Sequence, residues 1–64
     1  MIVEVRKAGE RGALLGVVKL DERGKPVEGD DFTQKLVTDV LRAAGGNLTA
    51  LDGWTNGYVQ LRAA

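Results

Sequence analysis

The order of apolar and polar side chains predicts two antiparallel strands in the first third of the chain. Residues 2–7 alternate, with Val3 and Val5 on one side of a strand and charged side chains on the other. A polar segment with a glycine at each end, residues 9–12, predicts a turn. Residues 13–20 are the most apolar stretch of the sequence, so the two stretches together predict a hairpin.

The second of these strands is apolar on both faces for most of its length. Leu15 and Val17 lie on one face, and Leu14 and Val18 lie on the other. Strands of this kind are covered on two sides, and Gly16 between them indicates a bulge or a bend. Leaving two such side chains exposed would forgo a few kcal/mol, a large share of the stability of a small domain. We therefore expect that the sheet closes into a small barrel or that another chain covers its second face, and the short chain favours the other chain.

A helix from about Phe32 to Ala44 is the clearest single element. Asp31 is the predicted N-cap, with Gln34 completing an approximate capping box, and the dipeptide Gly45-Gly46 ends the helix with a left-handed cap. The spacing of apolar residues indicates one apolar face. Its predicted members are Phe32, Leu36, Val37, Val40, Leu41, Ala43 and Ala44.

The remaining segments predict a short strand before the helix and a hairpin after it. Pro26 limits residues 25–28 to an edge strand, because proline cannot donate a ladder hydrogen bond. The dipeptide Asn56-Gly57 is a two-residue hairpin signal that pairs Trp54-Thr55 with Tyr58-Val59. A strand and a single helical turn both stay open for residues 47–53. We predict one α+β domain, residues 1–64, with a small mostly antiparallel sheet and one amphipathic helix in the order β-β-(short β)-α-β-β.

The composition argues against catalysis. The 64 residues include no cysteine and no histidine, which removes disulfides, thiol chemistry, the usual zinc ligand and the usual general base near neutral pH. A domain this small rarely encloses a pocket of several hundred Å³. We expect no enzyme activity, no cofactor, no metal site and no small-molecule substrate. Association with another chain is the remaining way to reinforce so small a core.

The charge pattern argues against nucleic acid as the partner. Nine basic residues balance nine acidic ones, whereas nucleic-acid binders usually carry a basic excess or stripe. The longest apolar run, residues 13–18, is far too short to cross a bilayer, and the charged start of the chain is unlike a signal peptide. We expect no membrane association. The expected location is the cytoplasm, or a particle such as a virion assembled there.

Two clusters of side chains have both a structural and a functional interpretation. The carboxylates Glu28, Asp30 and Asp31 lie beside the helix start, where calcium binding and helix capping both use carboxylate oxygens. We favour capping, because the spacing is not that of an EF-hand. Trp54 and Tyr58 flank the predicted final turn; such aromatics are frequent at interfaces and also in cross-strand pairs.

The sequence therefore favours a non-catalytic structural or assembly module that self-associates or docks on a larger protein scaffold. The candidate interface residues are Leu15, Val17, Trp54 and Tyr58. A composition rich in Gly, Ala, Val, Leu, Arg and Asp, with a single isoleucine, is common in GC-rich bacterial and phage genomes. This association suggests a phage virion accessory protein associated with the capsid.

The alternative is a small regulatory binding protein, either a dimeric nucleic-acid binder or an enzyme inhibitor. The nucleic-acid version predicts that four cationic side chains gather on one side of the hairpin: Arg6, Lys7, Arg11 and Lys19. A third interpretation is an enzyme subunit whose partner carries the chemistry.

Overall fold

The structure, a computed structural model, describes residues 1–64 as a four-stranded antiparallel sheet with a helix on one face. Strands β1 (Ile2–Lys7), β2 (Leu14–Leu20) and β3 (Pro26–Glu28) precede helix α1 (Asp31–Ala43), and β4 (Val59–Ala63) follows it. The strand order across the sheet is β3-β2-β1-β4, and each neighbouring pair is antiparallel. The predicted α+β layout with a short third strand is confirmed.

The hydrophobic core lies between α1 and the sheet. Val3 and Val5, predicted to share the inner side of β1, are fully buried. Helix α1 packs over β2 and β3, and a 3-10 turn at Leu48–Leu51 packs beside β4. The buried apolar side chains are Val3, Val5, Val18, Leu20, Val37, Val40, Leu41, Leu51 and Leu61.

The helix faces the sheet with a different stripe from the one that periodicity predicts. Phe32 is 67% exposed and Ala43 is also exposed, whereas Thr33 is only 1% exposed. The placement of Phe32 and Ala43 on the inner ridge was therefore wrong. The inner stripe is Thr33, Val37, Val40 and Leu41.

The helix begins one residue earlier than expected, and Asp30 rather than Asp31 is its N-cap. The Asp30 backbone is extended, and its Oδ1 accepts hydrogen bonds from Thr33 N at 2.7 Å and Thr33 Oγ1 at 2.9 Å. Gln34 lies one position beyond a capping box, and its Nε2 donates to Gly29 O instead. At the other end, Gly46 N donates to Leu41 O, closing the left-handed cap that the glycine pair predicts.

The segment after the helix differs most from expectation. Residues 48–51 form the 3-10 turn, so the helical alternative for this segment is the one adopted. The strand expected at Trp54-Thr55 is reduced to one bridge, Thr55 with Gln60. The final turn is also one residue out of the predicted register. Thr55 pairs with Gln60 and Asn56 N donates to Val59 O, so the loop residues are Gly57 and Tyr58 rather than Asn56 and Gly57. Asn56 Oδ1 also accepts hydrogen bonds from Tyr58 N and Val59 N.

Candidate protein-docking surface

The sheet is open, and its second face is not covered by any part of this chain. Strands β3 and β4 lie at opposite edges and do not pair with each other, so the sheet does not close into a barrel. Helix α1 covers the other face. We call the uncovered surface the open face.

One part of the open face is apolar. Leu15 is 45% exposed, and Val17 and Ile2 are each 43% exposed. Val17 lies opposite Glu4 in the sheet, so Ile2, two residues before Glu4, is the diagonal neighbour of Val17. Ile2, Leu15 and Val17 together form what we call the apolar patch.

A bulge next to Gly16 shapes one end of this patch. Val5 pairs with Gly16 and Arg6 pairs with Leu14, so the register skips Leu15. The predicted irregularity near Gly16 is therefore present, and it falls at the neighbouring residue. The bulge interrupts the alternation of β2, and Leu14, expected on the inner face, is 51% exposed.

Most other side chains of the open face are polar, and Leu14, the register partner of Arg6, is an apolar exception. Arg6 Nε lies 2.9 Å from Glu4 Oε1, and both side chains are about three-quarters buried. The Arg6 guanidinium also donates to Gly12 O at 2.7 Å. Gln60 and Arg62 of β4 lie opposite Arg6 and Glu4. The side chains of Glu4 and Arg6 are therefore held in place beside the apolar patch.

The outer edge of β4 is occupied by the chain's own backbone. Leu61 N donates to Trp54 O at 2.8 Å, and Gly53 N donates to Leu61 O at 2.9 Å. Ala63 N donates to Asp52 Oδ1 at 2.9 Å. These bonds occupy the backbone N–H and C=O groups of β4 to which an added strand would have to hydrogen-bond.

The outer edge of β2 is also largely blocked. Strand β3 pairs with Lys19 and Leu20 only, but Gly29 crosses the edge just beyond it. A Cβ built on Gly29, whose φ is +133°, would lie 3.1 Å from Val17 O. The outer strand β3 begins with Pro26, which has no N–H to donate. The free surface of the sheet is therefore its face and not its edges.

The four predicted interface residues lie in three places. Leu15 and Val17 lie together in the apolar patch. Trp54 is partly buried and packs against the core. Tyr58 is 82% exposed at the tip of the final loop, so the two aromatics do not form a cross-strand pair.

Several exposed apolar side chains were not predicted as exposed: Met1, Ile2, Leu14, Val27 and Phe32. Ile2 belongs to the apolar patch, and the alternation of residues 2–7 already places it on the side of Glu4, away from Val3. Phe32 protrudes from the first turn of α1, and its position in a regular apolar stripe gave no signal of exposure.

The other candidate clusters have structural roles or lie in turns. Asp30 caps the helix, and no group of three or more carboxylates is placed to hold a metal ion. The most marked surface depression, about 230 Å³, is lined by the polar turn residues Asp21, Glu22 and Arg23. Asp21 Oδ1 accepts hydrogen bonds from the backbone of Arg23 and Lys25, which organises this turn.

The cationic side chains of the first hairpin do not gather into one patch. Arg6 and Lys19 lie on the open face, whereas Lys7 follows Arg6 in β1 and belongs to the opposite side. The Arg6 guanidinium is already bonded to Glu4 and Gly12. The arrangement that the nucleic-acid alternative predicts for these residues is absent.

The single α-helix is too short and too polar to cross a membrane. Comparisons with protein-family models, with curated proteins and with solved structures find no match.

Proposed function

We propose that this chain is a non-catalytic assembly module whose open face binds protein, in the first place other copies of the same chain. The observation that carries the proposal is a sheet with blocked edges and an uncovered face that displays Ile2, Leu15 and Val17. Burying the exposed half of each of these side chains would contribute about 1 kcal/mol apiece. That gain is substantial for a chain of 64 residues, whose own core is small.

The setting proposed for this assembly is the cytoplasm or a virion assembled there. Amino-acid composition is the observation that supports a virion protein. In a virion, the chain would dock on a larger protein scaffold. The formal net charge of zero gives little repulsion between copies, which is compatible with dense assembly.

The test is the mass in solution of the wild type and of a face variant, Leu15→Asp combined with Val17→Lys, across a concentration series. The new lysine lies opposite Glu4, and the new aspartate lies at the bulge, next to the residue that pairs with Arg6, so the fold is expected to tolerate both changes. We expect the wild type to form a discrete oligomer as concentration rises and the face variant to stay monomeric.

Phe32→Asp is the matched control. It also replaces an exposed apolar side chain by a charge, but on the first turn of α1, where an acidic residue suits the helix dipole. It should associate as the wild type does. A wild type that stays monomeric to millimolar concentration would contradict self-association, and equal loss in both variants would show that the open face is not the surface used.

A further inference from the structure

We propose that Asn56 is a site of spontaneous deamidation, at which the folded chain converts its own asparagine into aspartate and isoaspartate. This inference is independent of the proposed function. Asn56 is followed by Gly57, and both residues are exposed in the loop before β4. Glycine has no Cβ to keep its nitrogen from reaching the preceding side chain. The space around Gly57 is also open, since a Cβ built there would have no atom within 4 Å other than those of its chain neighbours.

The reaction consumes water and involves no oxidation or reduction. Gly57 N loses its proton to a base in solution and attacks Cγ of Asn56, and the Cγ–Nδ2 bond breaks as Nδ2 takes up a proton and leaves as ammonia. Water then opens the cyclic imide. Addition of water at Cγ leaves aspartate, and addition at the backbone carbonyl carbon leaves isoaspartate, whose main chain runs through Cβ. Each product lowers the formal net charge of the chain from zero by one.

The hydrogen bonds of Asn56 Oδ1 favour the attack. When the nitrogen adds to Cγ, negative charge develops on Oδ1, and backbone N–H groups that already point at this atom stabilise that charge. Oδ1 accepts hydrogen bonds from Tyr58 N at 2.8 Å and from Val59 N at 3.0 Å. Both distances are those of well-formed N–H···O bonds. The loop therefore holds the side-chain amide of Asn56 in a polarised form.

One hydrogen bond opposes the reaction. Gly57 N donates to Thr55 Oγ1 at 3.0 Å, and the Thr55 hydroxyl donates its own proton to Val59 O at 2.7 Å. A lone pair of Thr55 thus holds the proton that Gly57 N must lose. Thr55 and Gly57 are exposed, and the net strength of such a neutral hydrogen bond corresponds to about tenfold in rate at most. We therefore expect the folded chain to deamidate at a rate within about tenfold of that of the unfolded chain.

Asn47, the only other asparagine, is an internal control. It is also exposed, and its Oδ1 accepts hydrogen bonds from Thr49 N at 3.2 Å and from Thr49 Oγ1 at 2.7 Å. Asn47 differs in being followed by Leu48, whose side chain hinders the nitrogen that would attack. Exposure and a hydrogen-bonded Oδ1 are common to both asparagines, whereas an unhindered nitrogen is found only after Asn56. We expect deamidation at Asn56 and none at Asn47 over the same time.

The test incubates the folded wild type, and the same chain unfolded in guanidinium chloride, at mildly alkaline pH in water labelled with heavy oxygen. Opening of the imide incorporates the label, which distinguishes deamidation in the sample from deamidation during later digestion in ordinary water. Trypsin releases residues 43–62 as one peptide that contains both asparagines, and fragment masses assign the label to one of them. Asn56→Gln is the matched control variant. Its longer side chain would have to close a larger ring, so residue 56 should gain no label.

Labelled aspartate or isoaspartate at residue 56 of the folded chain, formed within about tenfold of the unfolded rate, supports the proposal. A folded chain that gains no label at residue 56, or gains it more than about tenfold more slowly than the unfolded chain, overturns the proposal, because the loop then protects Asn56. Equal labelling at Asn47 and Asn56 also overturns it, because Gly57 then gives Asn56 no advantage.

Discussion

At Gly16 the first turn of α1 rests directly on β2. A Cβ built on Gly16 would lie 2.7 Å from Thr33 Cγ2 and 3.4 Å from Asp30 Oδ2. Thr33 is fully enclosed, and its hydroxyl donates to Asp30 Oδ1 at 2.9 Å. The missing side chain of Gly16 thus lets a polar residue pack against the sheet with its hydroxyl satisfied.

We predict that Gly16→Ala destabilises the fold by about 1–3 kcal/mol, as overpacking of a core does. Thr33→Ser removes only the methyl group nearest to the new Cβ and keeps the hydroxyl that bonds to Asp30. The double variant should therefore be more stable than Gly16→Ala alone. Urea unfolding of the wild type, both single variants and the double variant measures this coupling. Strictly additive effects would show that the Gly16–Thr33 contact does not limit the packing.

The same contact explains why the inner stripe of the helix was misplaced. The pattern of residues 32–44 shows that α1 is amphipathic, but it does not define the edges of the apolar face. Phe32 and Thr33 are consecutive residues, about 100° apart around the helix axis, and either of them could lie at that edge. Which of them faces inward depends on Gly16, which is distant in sequence. Single-sequence periodicity carries no information on that pairing.

The beginning of α1 depends on one carboxylate. Hydrogen bonds from the backbone N–H of Thr33, and then from its hydroxyl, lower the pKa of Asp30 below its ordinary value of 3.8. Because the pKa is lower in the folded chain than in the unfolded chain, the ionised cap stabilises the fold fully above the unfolded value. This contribution is lost as the pH falls through the folded value.

We therefore predict that Asp30→Asn flattens the loss of stability below about pH 4, since asparagine caps helices as well as aspartate but does not titrate. Asp30→Ala should lower the melting temperature at pH 7, whereas Asp30→Asn should change it little. Thermal unfolding from pH 2 to pH 7 measures both effects. Asp31→Asn, which changes the next carboxylate but leaves the cap in place, is the control. An unchanged acid slope in Asp30→Asn would contradict a role for the ionised cap.

Elements with strong local signals were predictable, and those fixed by side-chain bonds were not. The strand of residues 2–7, the short strand at Pro26 and the glycine end of the helix follow from alternation, proline and glycine. The final turn does not, because Asn56 bonds to two amides beyond Gly57 and shifts the register by one residue. The Asn-Gly dipeptide signals a turn there, but it does not specify which residues form the loop.

At the scale of the whole molecule, the open face can be predicted by comparing the number of apolar sheet faces with the number that one helix can cover. One helix covers one face of a sheet, so a strand that is apolar on both faces leaves one of them uncovered unless the sheet closes into a barrel. The apolar pattern predicts that Leu15 and Val17 lie on this face. It does not predict the blocked edges, because the hydrogen bonds of residues 52–54 and the position of Gly29 beside β2 arise only in the folded chain. The face was therefore predictable, whereas the obstruction of the sheet edges became apparent only in the structure.

Association through the native face must also raise thermal stability, because a partner that binds only the folded state shifts the unfolding equilibrium. A partner at a hundred times its dissociation constant stabilises by about 2.7 kcal/mol, and each kcal/mol moves the melting temperature of a small domain by about 4–8 °C. We predict a melting temperature that rises by several degrees between dilute and concentrated wild type. Calorimetry at high concentration and fluorescence from Trp54 at low concentration cover the range.

The face variant and the Phe32→Asp control distinguish stabilisation by association from the intrinsic stability of the single chain. In the Leu15→Asp, Val17→Lys variant the melting temperature should not depend on concentration, and it should match the dilute wild type, because both side chains are only half buried in the single chain. Phe32→Asp should retain the rise. If the face variant melts far below the dilute wild type, Leu15 and Val17 stabilise the fold of the single chain. If the melting temperature of the wild type does not depend on concentration, the open face does not bind a second copy of the chain.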